Sequence, residues 1–76
     1  MPPERPFAVW CFLGCGYFTD QPGRFSQSFD DAKIFHRFDS KAVDFCIDSC
    51  SLLLSDFDES LKGSFQARVF VQFVEV

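Results

Sequence analysis

Four cysteines stand in two matched pairs, Cys11/Cys15 and Cys46/Cys50, each with three residues between its members. Thiols so spaced can ligate a metal, form a disulfide, or pack as small hydrophobes. On a helix, Cys46 and Cys50 share one face about 6 Å apart along the axis, within reach of one ion. On a strand, Cys11 and Cys15 lie about 13 Å apart, so they join a common zinc only if the backbone bends sharply at Gly14. Structural zinc sites also favour two-residue spacers. Two disulfides between the pairs meet the same mismatch, because a bridge needs Cα atoms within about 7 Å. A single bridge stays open. The reading that accommodates all four is reduced thiols turned to the same buried side as Val9, Leu13, Val43 and Ile47. No metal and no cofactor is expected.

The remaining polar residues offer little catalysis. His36, the single histidine, lies in KIFHRF, where no spacing supplies both an orienting partner and a nucleophile; a surface or half-buried histidine is predicted. Asp56-x-Asp58-Glu59 is the densest carboxylate group, but it lacks the glycine and terminal glutamate of a calcium loop. Phosphate-cradling glycine patterns are missing. With no second layer to form a cleft, the chain reads as non-enzymatic.

The elements that must position these residues begin with the C-terminal stretch from Ser64 to Val76. Phe65, Ala67, Val69, Val71 and Phe73 recur every second residue with Gln66, Arg68 and Gln72 between them, the period of a half-buried strand. Three prolines in the first six residues make an extended lead-in. Phe7 to Phe18 then reads as one long strand, with Gly14 and Gly16 marking a bulge or a close approach of another chain segment. The run is too short to span a bilayer, lacks the basic flank of a secretion signal, and places Phe12 where a lipidation site upstream of Cys15 needs an aliphatic residue. Pro22-Gly23 predicts a turn into a short strand over 25–28. Phe29 to Phe35 reads as a short helical turn or an irregular hydrophobic staple, with Asp30 or Asp31 able to cap it. The main helix runs from Ser40 to about Leu53, capped by Asp39 or Ser40, with Ala42, Val43, Cys46, Ile47, Cys50, Leu53 and Leu54 on its buried arc. Residues 55–63 read as a polar, acidic loop, with or without a single helical turn, ended by Gly63. The expected fold is a single α+β domain over 1–76: a three-stranded antiparallel sheet in strand–strand–helix–strand order, with the helix across its odd-numbered face.

Composition bounds the partners. The chain has 76 residues and a net charge of −4, with eight of its eleven acids between Asp30 and Glu59. This disfavours direct nucleic-acid binding, which needs a positive patch. Its twelve phenylalanines exceed what one small core encloses, so some must reach the surface or an interface. Two partner surfaces follow. One is the even-numbered sheet face, with Trp10, Phe12 and Phe70 as anchors and Gln66, Arg68 and Gln72 as a polar rim; it serves a protein partner or a homodimer equally well. The other is the acidic set Asp44, Asp48, Asp56, Asp58 and Glu59, for which a solvated helix face is the plain alternative.

From Tyr17 to Cys50, under half the chain, the order of elements resembles small phage and prophage proteins. A tyrosine-bearing strand leads through a turn to DAKIF at Asp31–Phe35, then to FDS at Phe38–Ser40 and an alanine-bearing helix at Ala42. The stretch is similar to the class that includes anti-CRISPR proteins: short, often acidic, non-enzymatic proteins that bind bacterial defence complexes and in several cases imitate DNA. That resemblance implies a cytoplasmic protein of a bacterial host whose acidic set faces a basic nucleic-acid channel. The class shares no residue-level motif, so no site residue is carried over. The alternative expectation is a homodimeric or metal-stabilised structural domain without an inhibitory role.

Overall fold

In the computed structural model, which describes residues 5–55, 57 and 61–76, the apolar run over 7–18 folds back on itself. It makes two strands, β1 (Phe7–Cys11) and β2 (Gly16–Phe18), instead of the single long one predicted. Glycine permits the return. A Cβ on Gly14 would lie 2.7 Å from the Phe25 ring, and one on Gly16 would lie 2.9 Å from the Ser26 carbonyl oxygen. Cys15 completes the reversal in the left-handed region, at φ 52°. The chain then takes the predicted Pro22-Gly23 turn into β3 (Phe25–Ser26). Gly23 has φ 82°, and the Arg24 N–H donates to the Gln21 carbonyl at 3.1 Å, as a type II turn requires.

The last strand, β4 (Val71–Glu75), pairs antiparallel with the other edge of β1. The sheet therefore has four antiparallel strands in the order β3-β2-β1-β4, where three were expected. The extra strand comes from the hairpin inside the first apolar run. Of the lead-in, residues 1–4 lie outside the described residues, and the Pro6 carbonyl accepts the Val76 N–H at 3.0 Å.

The main helix, α1 (Ser40–Leu53), forms as predicted. The Asp39 carboxylate accepts from the Ala42 N–H at 3.1 Å, closing one of the orphan donors of the first turn. Its buried stripe is Ala42, Val43, Cys46, Ile47, Ser49 and Cys50. Leu53 and Leu54 do not join it and are exposed at the helix end. Phe29–Asp31 forms a single 3-10 turn without a side-chain cap from either aspartate; Asp31 accepts from the Ser26 hydroxyl instead, at 3.2 Å.

The predicted strand over 64–76 is corrected in its first half. Lys62–Gln66 is a short helix, α2, with Phe65 fully buried. Leu61 and Phe65, four residues apart, pack on the core together. Arg68 then stands in the left-handed region at φ 65°. Around it the Arg68 N–H donates to Phe65 O and the Val69 N–H to Ser64 O, both at 2.9 Å. This is the doubly bonded helix stop usually built on glycine. Val69, expected under α1, is exposed instead. Arg68 also keeps a buried Nε without a hydrogen-bond partner among the described residues, so Arg68→Gly is expected to stabilise the fold by about 1 kcal/mol. Urea denaturation of the two proteins measures it.

Ten of the twelve phenylalanines form the core or pack on it. Phe7 stacks on Phe35 and meets Phe73 edge-on, with centroids 5.9 and 5.1 Å away. Phe57, Phe65 and Phe70 form a second group. Only Phe12 and Phe29 stay outside the cluster.

Candidate functional site

Sheet register fixes which side chains face away from α1. Directly paired residues share a face in an antiparallel sheet. Phe7, Val9 and Cys11 of β1 enter the core, so Ala8 and Trp10 lie on the opposite side. Trp10 pairs with Tyr17 on β2 and Gln72 on β4, and Tyr17 pairs with Ser26 on β3. A single row, Gln72–Trp10–Tyr17–Ser26, thus crosses all four strands on the helix-free face. Trp10 meets Tyr17 edge-on at 5.0 Å, and Tyr17 meets Phe29 at 5.4 Å. Trp10 and Tyr17 are half-buried and Gln72 is exposed. Ala8 is fully buried, so the face is open around the row and closed near the start of β1.

Two of the three predicted anchors remain on the surface. Trp10 sits in the row, and Phe12, just past β1, is 53 % exposed. Phe70 does not. It packs on Phe57 and Phe65 at the core wall, because α2 and the turn at Arg68 break the alternation that placed it outward. The predicted rim loses members for the same reason: Gln66 belongs to α2, and Arg68 lies over the Phe73 ring at 5.4 Å. The aromatic members that the sequence reading missed are Tyr17 and Phe29. Tyr17 becomes visible only once the hairpin inside residues 7–18 is known.

The acidic set is brought together only in part. Asp44 and Asp48 are exposed on α1, one turn apart. Asp44 is ion-paired with Lys62 at 2.9 Å, which offsets its charge locally. Asp56, Asp58 and Glu59 lie outside the described residues.

The thiols separate into three buried and one exposed. Cys11, Cys46 and Cys50 are fully buried, while Cys15 is exposed in the β1–β2 turn, against the expectation that all four face the core. The turn that carries Cys15 leads it away from the core layer. The Cys11 and Cys50 sulfurs approach to 3.9 Å, and the Gly14 N–H donates to Cys11 Sγ at 3.4 Å. The Cys50 thiol draws the Cys11 thiol down to about 7 against the cost of burial, aided by the N–H groups of Gly14 and Leu13. The same contact with Cys11, together with burial, pushes Cys50 far up. Burial foremost pushes Cys46 up, with the charge of Cys11 adding and that of Lys33 opposing. Among the described residues, no three His, Cys, Asp or Glu side chains converge to hold a metal ion.

A pH dependence follows for Cys46. Its thiol ionises near pH 9 in the unfolded chain and stays protonated in the fold. Its contribution is therefore full below pH 9 and falls as pH rises further, by about 1.4 kcal/mol per unit. The Cys46→Ala variant is expected to lose stability less steeply than the parent between about pH 9 and 11, read from urea midpoints.

An open cleft of about 430 Å³ lies beside the β2–β3 hairpin, lined by Thr19, Asp20, Arg24, Ser26 and Asp31 among others. Its polar groups are engaged with one another. Thr19 Oγ1 donates to the Arg24 carbonyl at 3.0 Å, Ser26 donates to Asp31, and Lys33 pairs with Asp20 at 3.4 Å. His36 is exposed, within the surface or half-buried placement predicted for it. No helix among the described residues is long and apolar enough to cross a membrane. No protein-family model, curated protein or solved structure matches the chain.

Proposed function

We propose that this chain is a non-enzymatic binding protein that docks on a protein partner through its helix-free sheet face, with Trp10, Tyr17 and Phe12 as anchors. The observation that carries the reading is the row Gln72–Trp10–Tyr17–Ser26, in which two adjacent large aromatics stand between polar ends on the side away from α1. Aromatic anchors within a polar rim are the anatomy of protein interfaces. In its more specific form the partner is a bacterial defence complex that binds nucleic acid, met in the host cytoplasm. The likeness of residues 17–50 to anti-CRISPR proteins supports that form, as does the net charge of −4, which favours a basic target. Asp44 and Asp48, exposed on α1 and outside the aromatic contact, then act at longer range as steering charges.

The test is plasmid transformation into bacteria with active CRISPR immunity of several types. Expression of the chain is expected to restore transformation in at least one. Failure in all of them, with soluble protein confirmed in the cells, overturns the inhibitor. A dimeric mass at micromolar concentration that disappears in Trp10→Ser overturns the foreign partner in favour of a second copy.

A further inference from the structure

We propose that Cys11 and Cys50 are an oxidisable pair, which a small alkyl disulfide such as oxidised glutathione converts into a covalent tie between β1 and α1. The two sulfurs belong to facing layers of the core and already lie 3.9 Å apart. Both side chains are fully buried, so packing holds them opposite each other. A bond requires the sulfurs to close to about 2 Å, within reach of a rotamer adjustment on two elements that are already in contact. Most of the other thiol encounters are less favourable. Cys15 lies on the surface, and Cys46 shares α1 with Cys50 one turn away, where a helix backbone resists a bridge.

Access comes through the β1–β2 turn. Gly14 in that turn donates its N–H to the Cys11 sulfur, and Cys15 beside it stands in the left-handed region. Local opening of such a turn needs less than global unfolding. The Cys11 thiolate attacks one sulfur of the small disulfide. The S–S bond breaks, and one thiolate leaves and takes up a proton. Cys50 then gives up its proton and attacks Cys11 in the mixed disulfide, expelling the second small thiol. Two protein thiols are oxidised and one small disulfide is reduced to two thiols. The lowered pKa of Cys11 places the attacking thiolate at neutral pH.

The bridge would span 39 positions of sequence, a loop long enough for a substantial gain in stability. The experiment uses folded Cys15→Ser protein, in which the exposed thiol is removed and the core is untouched. After incubation with oxidised glutathione, peptide mapping is expected to show a Cys11–Cys50 link and a mass lower by two hydrogens, without a glutathione adduct. The thermal midpoint is expected to rise by about 10 °C and to return on addition of dithiothreitol. Persistence of free thiols, a stable adduct, a link through Cys46, or a bridged protein no more stable than the reduced one overturns the proposal.

Discussion

Phe7→Ala is expected to remove a large part of the fold's stability. The ring is fully buried and touches both Phe35 and Phe73. Its backbone also exchanges two hydrogen bonds with Phe35, at 2.9 and 2.7 Å, which ties the loop before α1 to the sheet. Removing a buried phenylalanine costs about 3–5 kcal/mol, and a domain of this size has a total stability of only about 4–11 kcal/mol. Urea denaturation followed by far-UV circular dichroism should show the transition lost or its midpoint at less than half the parent value. Phe29→Ala is the comparison: its ring is 37 % exposed, and the expected loss is about 1 kcal/mol or less. A loss at Phe7 no greater than that at Phe29 contradicts the core described above.

Trp10→Ser is expected to weaken partner binding by about 30-fold or more while the fold survives. Interface anchors of this type contribute about 2 kcal/mol or more, and Trp10 lies in the middle of the proposed face. Asp48→Lys should change affinity less and should act mainly on the association rate, since an exposed charge outside the contact steers rather than anchors. Asp44→Lys is a poorer probe, because it also breaks the pair with Lys62. Titration calorimetry or surface binding with the captured partner measures both variants, and circular dichroism confirms that each is folded. If Asp48→Lys is the more damaging, the acidic helix face carries the interaction.

The contrast between α1 and the C-terminal stretch explains how much the sequence disclosed. For α1, a capping aspartate, a helical apolar period and polar residues opposite all indicate one answer, and the structure agrees. The Pro22-Gly23 turn was equally plain, because only glycine takes that φ cheaply. The hairpin within residues 7–18 was hidden, since its turn is built from Phe12, Leu13, Gly14 and Cys15 rather than from polar turn residues. In the last stretch, Phe65 and Val71 are both buried and fit an alternating strand. The helix stop that separates them rests on Arg68 in a conformation normally given to glycine. That stop turned Phe70 toward Phe57 and Phe65. The Cys11–Cys50 contact joins elements 39 positions apart. It depends on how α1 lies across the sheet, which no local spacing encodes.

The claim on which the functional account rests is that the helix-free face meets the partner. Photo-crosslinking in bacterial cells tests it most directly, with a benzophenone amino acid placed in turn at Phe12, at Gln72 and, on the outer side of α1, at Asp48. The account predicts a single crosslinked partner species from Phe12 and Gln72, lost when Trp10→Ser is added, and little or none from Asp48. Crosslinking confined to Asp48, or undiminished at Phe12 by Trp10→Ser, contradicts it.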